Sequence, residues 1–190
     1  VAADGEYALD WDRPRSIGSV HSFYGNVLVA VRAYAYLLRL GDEGLREAGE
    51  NAVLNANYLQ SRLKSIFDLP YPGLCKHEFV LSAKDLPHEL SALDVAKRLI
   101  DYGIHPPTIY FPLIVREALM IEPTETEGKT SLDAFVDAME RIAAEASSDP
   151  DCLRSAPSST PVRRLDQTRA ARNPVLTHPM GDRTVSDGPN

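Results

Sequence analysis

Between Ile104 and Glu127 the chain sets a histidine, four prolines and a run of acids and hydroxyls close together, residue types that can line and close a binding site. His105 stands before Pro106 and Pro107; an imidazole there can move a proton near neutral pH, or it can simply hydrogen-bond within its loop, and the loop role is the simpler reading. Glu122, Thr124 and Glu125 can offer carboxylates and a hydroxyl to a ligand. Acids and hydroxyls ahead of a helix also cap backbone N–H groups, and a turn stabilised in that way accounts for the string fully. His77-Glu78 opens an expected strand and reads as structural. A second candidate lies at Gly25-Asn26, after Tyr24, where a helix is expected to begin. The free N–H groups and the dipole of a helix start bind anions, whereas Asn26 as the N-cap, with Gly25 providing the turn, explains the same residues without a ligand. Asn55 and Asn57 are poor helix formers in a helical pattern and are expected to hydrogen-bond to a neighbouring domain.

These residues need elements to hold them. Residues 9–23 read as irregular, with Pro14 and Gly18 as breakers. A first helix is expected from Gly25-Asn26 to Leu40, apolar nearly all round and ended by Gly41, and a second from Glu43 to Phe67, where Leu45, Ala48, Ala52, Ala56, Leu59, Leu63 and Ile66 recur at helical spacing. Pro70, Pro72 and Gly73 stop it. Cys75 to Ser82 reads as a strand. Ser91 with Asp94 has the form of a capping box and opens a helix through Tyr102, closed by Gly103. Thr108 to Phe111 reads as a short edge strand of the kind that tolerates neighbouring prolines, Ala118 to Ile121 as another strand, and Ser131 to Ala146 as a helix. Strand-helix-strand-strand-helix implies an α/β domain of the α+β type, with an antiparallel or mixed sheet and helices on one side. The pattern divides the chain into 1–70 with two helices, 71–147 as a small α/β domain, and 148–190 as an extended tail, disordered from Thr177 to Asn190.

Composition narrows the partners. The 190 residues are 44% hydrophobic and 25% charged, ordinary for a globular protein. A net charge of −7 argues against nucleic acid or an anionic membrane surface as partner. The longest apolar stretch, Val27 to Leu38, is too short to span a bilayer and contains Arg32. The acidic N-terminus does not resemble a signal peptide. Cys75 and Cys152 make neither a disulfide framework nor a metal site and fit a reducing compartment, so a cytoplasmic location is expected. The start at Val1 reads as that of a fragment or truncated product.

The string DVAKRLIDYGIHPPTIYFPLIVREALMIEPTETE resembles the C-terminal part of glycine dehydrogenase (decarboxylating), the P-protein of the glycine cleavage system. SIGSVHSFYGN, VRAYAYL, ENAVLNANYLQSRL, HEFVLS and TPVRRLDQTRAARNPVL agree with it in order, over about Leu9 to Leu176. The SFYGN, RAYAYL and TPVRRLD wording is closer to the second subunit of the split form than to the long single chain.

The resemblance implies the C-terminal portion of a fold-type I pyridoxal-phosphate-dependent transferase, which decarboxylates glycine and passes the aminomethyl group to the lipoyl-bearing H-protein. It implies that 1–70 are the end of a larger domain and its connecting helices. It implies a second P-protein subunit as partner, Gly25 and Asn26 near the cofactor phosphate, and His105 and Thr124 near the substrate. It also implies a Schiff-base lysine after a histidine and before a glycine-rich run, upstream of these blocks. Lys64, Lys76, Lys84, Lys97 and Lys129 do not stand in that context and read as solvated surface lysines. The chain alone is therefore expected to be inactive. Arg163, Arg164, Arg169 and Arg172 are solvated by composition, and the resemblance favours their docking on a neighbouring domain. Two alternatives are a non-catalytic assembly module, or truncated product, and another fold-type I enzyme such as an aminotransferase, which the specific blocks disfavour.

Overall fold

The computed structural model describes residues 13–18 and 25–177. Two compact units divide after Glu47. A long helix, α1 (Val27–Leu63), contributes to both and breaks at Gly41, where φ is 63° and ψ −173°. Only glycine reaches that backbone region without a Cβ clash, so the helix end read at this residue is where helical geometry stops. In the first unit the apolar side chains of Val27, Leu28, Tyr34 and Leu38 are exposed.

The second unit begins at Ala48. It therefore includes residues 48–70, which the sequence pattern assigns to the preceding domain. The reason lies in packing: Ala56, Leu59 and Leu63 of α1, with Phe67 after it, join the same buried cluster as the sheet. The rest follows as β1 (Phe79–Ser82), a 3-10 turn at Pro87–Glu89, α2 (Ala92–Asp101), β2 (Thr108–Ile109), β3 (Ala118–Ile121), α3 (Lys129–Ser148), α4 (Pro150–Ser155) and α5 (Gln167–Arg172).

The sheet is antiparallel in the order β1-β3-β2. Phe79 pairs with Ile121 and Leu81 with Leu119. Alternation puts these four on one face, where they meet Val95 and Leu99 of α2 and Val136, Met139 and Ile142 of α3. The α2 helix starts as read: the Ser91 side chain accepts from Asp94 N–H while Asp94 accepts from Ser91 N–H. Its last turn closes on Gly103 at φ 73°, with Ile104 N–H donating to Leu99 C=O at 3.0 Å.

Three elements differ from the sequence reading. The first strand starts at Phe79, not Cys75, because both backbone groups of Cys75 are taken by the Asn57 side chain (Nδ2 to Cys75 C=O 2.7 Å, Cys75 N–H to Oδ1 3.2 Å). β2 ends at Ile109, where Tyr110 turns to φ 59°. The region after Ser147 is not simply extended. It carries α4 and α5 and is tied to its own domain as far as Arg164, whose guanidinium meets Asp94 at 2.6 Å and the carbonyls of Leu153 and Ala156 at 2.8 Å each. Thus Arg164 serves its own domain, while Val162, Leu165, Val175 and Leu176 remain exposed. The expected disorder of the terminus beyond Thr177 lies outside the described residues.

The tail is also anchored by Asp101. Its carboxylate accepts from the backbone N–H of Ser158 and of Ser159, at 2.7 Å each, and from both hydroxyls. Arg98 donates to it from the same helix at 3.2 Å and forks onto Glu145 of α3 at 2.8 and 2.9 Å. Burial raises the Asp101 carboxyl, but the bonds from Ser159, Ser158 and Arg98 outweigh it and hold the group at about 2, against 3.8 for a free aspartate. A carboxylate with a lowered folded value contributes stability that is complete above its unfolded value and is lost as pH falls through the folded one. Asp101→Asn is therefore expected to flatten the loss of stability in urea melts between about pH 4 and pH 2. It should also speed amide exchange at Ser158 and Ser159 while Leu99 and Met139 stay protected.

Candidate functional site

The second unit carries a cavity of about 530 Å³ built from three pieces of chain. One wall is Gly103 to Thr108, the segment that leaves α2. A second is Met120 to Pro123, with Glu127, which adjoins the first where Thr108 pairs with Met120. Leu59 of α1 and Ser131, Leu132, Ala134 and Phe135 of α3 complete the lining.

Each wall is shaped by local chemistry. Gly103 ends α2 in the left-handed region, and Pro106 and Pro107 then keep the backbone extended. In the second wall β3 delivers Met120 and Ile121, and the buried Pro123 ends the strand. The chain then turns, with Glu127 N–H donating to Thr124 C=O at 3.2 Å. This turn is gripped from α1: Asn55 Nδ2 donates to Thr124 C=O at 2.9 Å and to Glu127 C=O at 3.1 Å. One helical turn further, the Tyr58 hydroxyl donates to Asp133 of α3, Arg62 donates to the same hydroxyl at 2.9 Å, and Lys129 lies 5.5 Å from the Tyr58 ring. Lys129 hydrogen-bonded to Asp133 is held above the ordinary lysine value, and Asp133 below the ordinary carboxylate value for the same reason. Together these contacts join α1 to α3 at the cavity.

The structure brings some of the expected residues together and not others. His105 and Glu122 both line the cavity, on the segments that adjoin the paired strands β2 and β3. Thr124 does not line it. Its carbonyl is taken by Asn55 and its hydroxyl pairs with Thr126 at 2.7 Å, so it shapes the turn behind the wall. Glu125 is likewise outside the lining. Gly25 has φ 96° and Asn26 C=O accepts from Val29 and Ala30 N–H, the geometry of a helix start. Both belong to the first unit, and Tyr24 lies outside the described residues. His77 stands 3.9 Å from Glu122 and 4.0 Å from Glu78, all three largely exposed. Sequence reasoning missed Glu127, Ser131 and Phe135 as lining residues. It noted Asn55 and Asn57 for their low helix propensity but looked for their partners in a neighbouring domain, whereas both bond within their own unit.

The lining combines apolar residues with two glutamates and a histidine. That combination attracts a polar or amine-bearing group and shelters an uncharged stem. None of the five lysines lines the cavity; Lys84 and Lys129 are bound at 2.6 Å to Asp68 and Asp133. Among the described residues there is no cluster of His, Cys, Asp and Glu that could hold a metal. Nor is any helix among them long and apolar enough to cross a membrane.

Gly103 tests the wall. A Cβ there would meet nothing within 4 Å, so Gly103→Ala carries only the cost of a left-handed backbone. The expected loss is about 1 kcal/mol in urea denaturation, without a cavity-type loss of core packing.

Comparison with known proteins places residues 48–157 in the family described as "Glycine dehydrogenase, C-terminal domain". A probable glycine dehydrogenase (decarboxylating) subunit 2 from Caldanaerobacter subterraneus subsp. tengcongensis is 59% identical over 174 residues, 91% of this chain and 36% of that protein. Its counterpart from Shouchella clausii is 54% identical over 186 residues, 97% of this chain and 38% of that protein. The chain thus spans little more than a third of the length of these relatives. Among solved structures, a glycine decarboxylase (P-protein) of the glycine cleavage system in inhibitor-bound form matches with a TM-score of 0.53 at 25% identity, over 60% of this chain and 26% of that one.

Proposed function

The chain belongs to the glycine dehydrogenase family through its C-terminal domain, and we propose that it forms the C-terminal portion of subunit 2 of a split P-protein. The whole enzyme would decarboxylate glycine with pyridoxal phosphate and transfer the aminomethyl group to a lipoyl-bearing H-protein, beside a second P-protein subunit and in the cytoplasm. In this reading residues 1–47 connect to the larger domain, 48–157 form the small domain, and the following segment docks on its neighbours. The single observation that carries it is that the family match covers residues 48–157, the stretch that builds the compact body and both walls of the cavity.

Pyridoxal phosphate acts as an electron sink for the carbanion left by carbon dioxide, and it needs an enzyme amine to hold it. The residues of this chain do not fit that task, because no lysine lines the cavity. The amine, and the groups that hold the pyridine ring, then belong to other parts of the complete protein. What this chain contributes in our reading is a substrate-side wall. His105 and Glu122 face the substrate, Pro106, Pro107 and Phe135 limit water, and Gly25 and Asn26 lie by the cofactor phosphate. Thr124 serves the wall through its carbonyl.

A second reading, a non-catalytic assembly module, draws support from the exposed apolar side chains of the first unit, with Leu28 79% exposed and Leu38 66%. Exposed apolar patches mark association surfaces. The two readings part on one experiment. The chain is supplied within a full-length subunit 2, paired with subunit 1, and exchange of labelled bicarbonate into the glycine carboxyl is measured. Exchange reduced in His105→Ala and Glu122→Gln, with assembly unchanged in sedimentation, is expected. Full exchange in both variants would leave only the assembly role.

The 190-residue chain by itself is expected to take no stoichiometric pyridoxyl label. Incubation with pyridoxal phosphate, borohydride reduction and peptide mapping should show only weak modification spread over several lysines. A single lysine labelled in full, with a glycine-dependent absorbance change, would contradict the assignment of the amine to another part of the protein.

A further inference from the structure

We infer that Asn55 is the positioning residue of the acidic wall: its side-chain amide holds the 124–127 turn in place and so sets how well the cavity takes its ligand. The inference rests on the reading that this cavity lies at the substrate side of the assembled enzyme.

Asn55 is half-buried on α1, and its amide nitrogen has two protons to give. Both go to carbonyls of one turn, Thr124 at 2.9 Å and Glu127 at 3.1 Å, at a sequence distance of about seventy residues. Few other contacts hold that turn. Its side chains from Thr124 to Glu127 are exposed, and within it there are one backbone bond and one hydroxyl pair. The turn directly follows Glu122 and Pro123 and contains Glu127, so it sets the spacing of two acidic residues that line the cavity with His105. Asn55 itself does not line the cavity, while Leu59, four residues on, does. The amide therefore acts through the turn and does not touch the ligand.

A second amide on the same helix serves as an internal control. Asn57 also makes an amide-to-carbonyl bond across the chain, to Cys75, and accepts from Cys75 N–H. Residues two apart on a helix face different ways, so Asn57 grips the 73–75 segment, none of which lines the cavity. If the cavity depended only on general stability, weakening either amide would affect it alike.

Asn55→Asp replaces the donor with a carboxylate of the same shape facing two carbonyls, and Asn55→Ala removes it. Asn57→Ala is the matched control. In the isolated 190-residue chain, both Asn55 variants are expected to speed amide exchange at Glu127, whose N–H is bonded within the turn, while Leu99 and Met139 stay protected; Asn57→Ala should leave the Glu127 amide as in the wild type. In the assembled enzyme, both Asn55 variants are expected to raise KM for glycine roughly three- to tenfold with kcat little changed, the loss of about one to two hydrogen bonds' effect on binding. Asn57→Ala should lower the melting temperature and leave KM as it was. Unchanged exchange at Glu127 in the Asn55 variants would overturn the clamp. Faster exchange with an unaltered KM, or an equal rise of KM in Asn57→Ala, would overturn its role in the site. If the wild-type assembly turns over no glycine, the functional reading fails and the role in that site falls with it, while the exchange data still judge the clamp.

Discussion

Irregular segments carry backbone carbonyls that must find donors, and here the donors are side-chain amides of one helix. Asn55 and Asn57 lie two residues apart on α1 and so point to different sides of it. On one side Asn55 takes Thr124 and Glu127 C=O, and Tyr58, three residues on, reaches Asp133. On the other, Asn57 takes Cys75 C=O, and Gln60, again three residues on, takes Gly73 C=O at 3.2 Å. Between these two polar sides, Ala56, Leu59 and Leu63 enter the core. One helix thus supplies apolar surface to the sheet and donors to two loops. The sheet, with two strands of four residues and one of two, offers little by itself.

A second polar junction does for the far end what α1 does for the near one. Arg98 forks onto Glu145, Tyr102 donates to Glu145 at 2.7 Å, and Asp101 gathers the segment after α4. The bonds to Arg98 and Tyr102 hold Glu145 below the ordinary carboxylate value against the effect of burial. Burial and the bond to Glu145 raise the Tyr102 hydroxyl. A buried ion pair is weak evidence of net stability, since desolvation offsets much of the attraction. Its clear effect is on geometry, because a forked guanidinium accepts few arrangements of its two carboxylates. The α2–α3 packing is thereby fixed, and with it the spacing between the Gly103 wall and Phe135.

How much of this the sequence made legible follows from the range of each signal. The α2 helix was readable because its cap is local: Ser91 and Asp94 satisfy each other, and Gly103 closes the far end. The break at Gly41 and the strand Ala118–Ile121 were readable for similar reasons. The start of β1 was not, because Cys75 is removed from the ladder by a side chain eighteen residues away. Nor was the place of residues 48–63, whose helical period shows an apolar face without saying which body it covers. At the site, His105, Pro106 and Pro107 line the cavity. Glu122, weighed with Thr124 and Glu125, reads as structural in the sequence, and Glu127 is not singled out, since nothing local says which acid of a turn faces a cavity when the turn is held by an amide about seventy residues distant. The unusual helix residues Asn55 and Asn57 were the available signal. Low propensity in a helix interior is tolerated where tertiary bonds compensate, so such residues point to long-range contacts without naming the partner.

The distribution of unmet demand is uneven. Among the described residues no buried side-chain polar atom lacks a partner. Polar satisfaction within the second unit is therefore closed without a further chain. Apolar burial is not: Leu28 and Leu38 before Gly41, Leu113 and Ile114 between β2 and β3, and Val175 and Leu176 near the end are all exposed. The 110–117 segment is not exposed through looseness, since Tyr110 and Glu117 hold positive φ and Ser82 Oγ donates to Arg116 C=O at 2.6 Å. Holding leucine and isoleucine rigidly in water forgoes about 1.5–3 kcal/mol for each side chain, without the entropy that a mobile loop would retain. In a chain spanning little more than a third of its relatives' length, that pattern matches a domain whose polar interior is settled by its own residues and whose remaining association is hydrophobic. Such contacts do not depend on matching charges across a surface, which suits a chain of net charge −7.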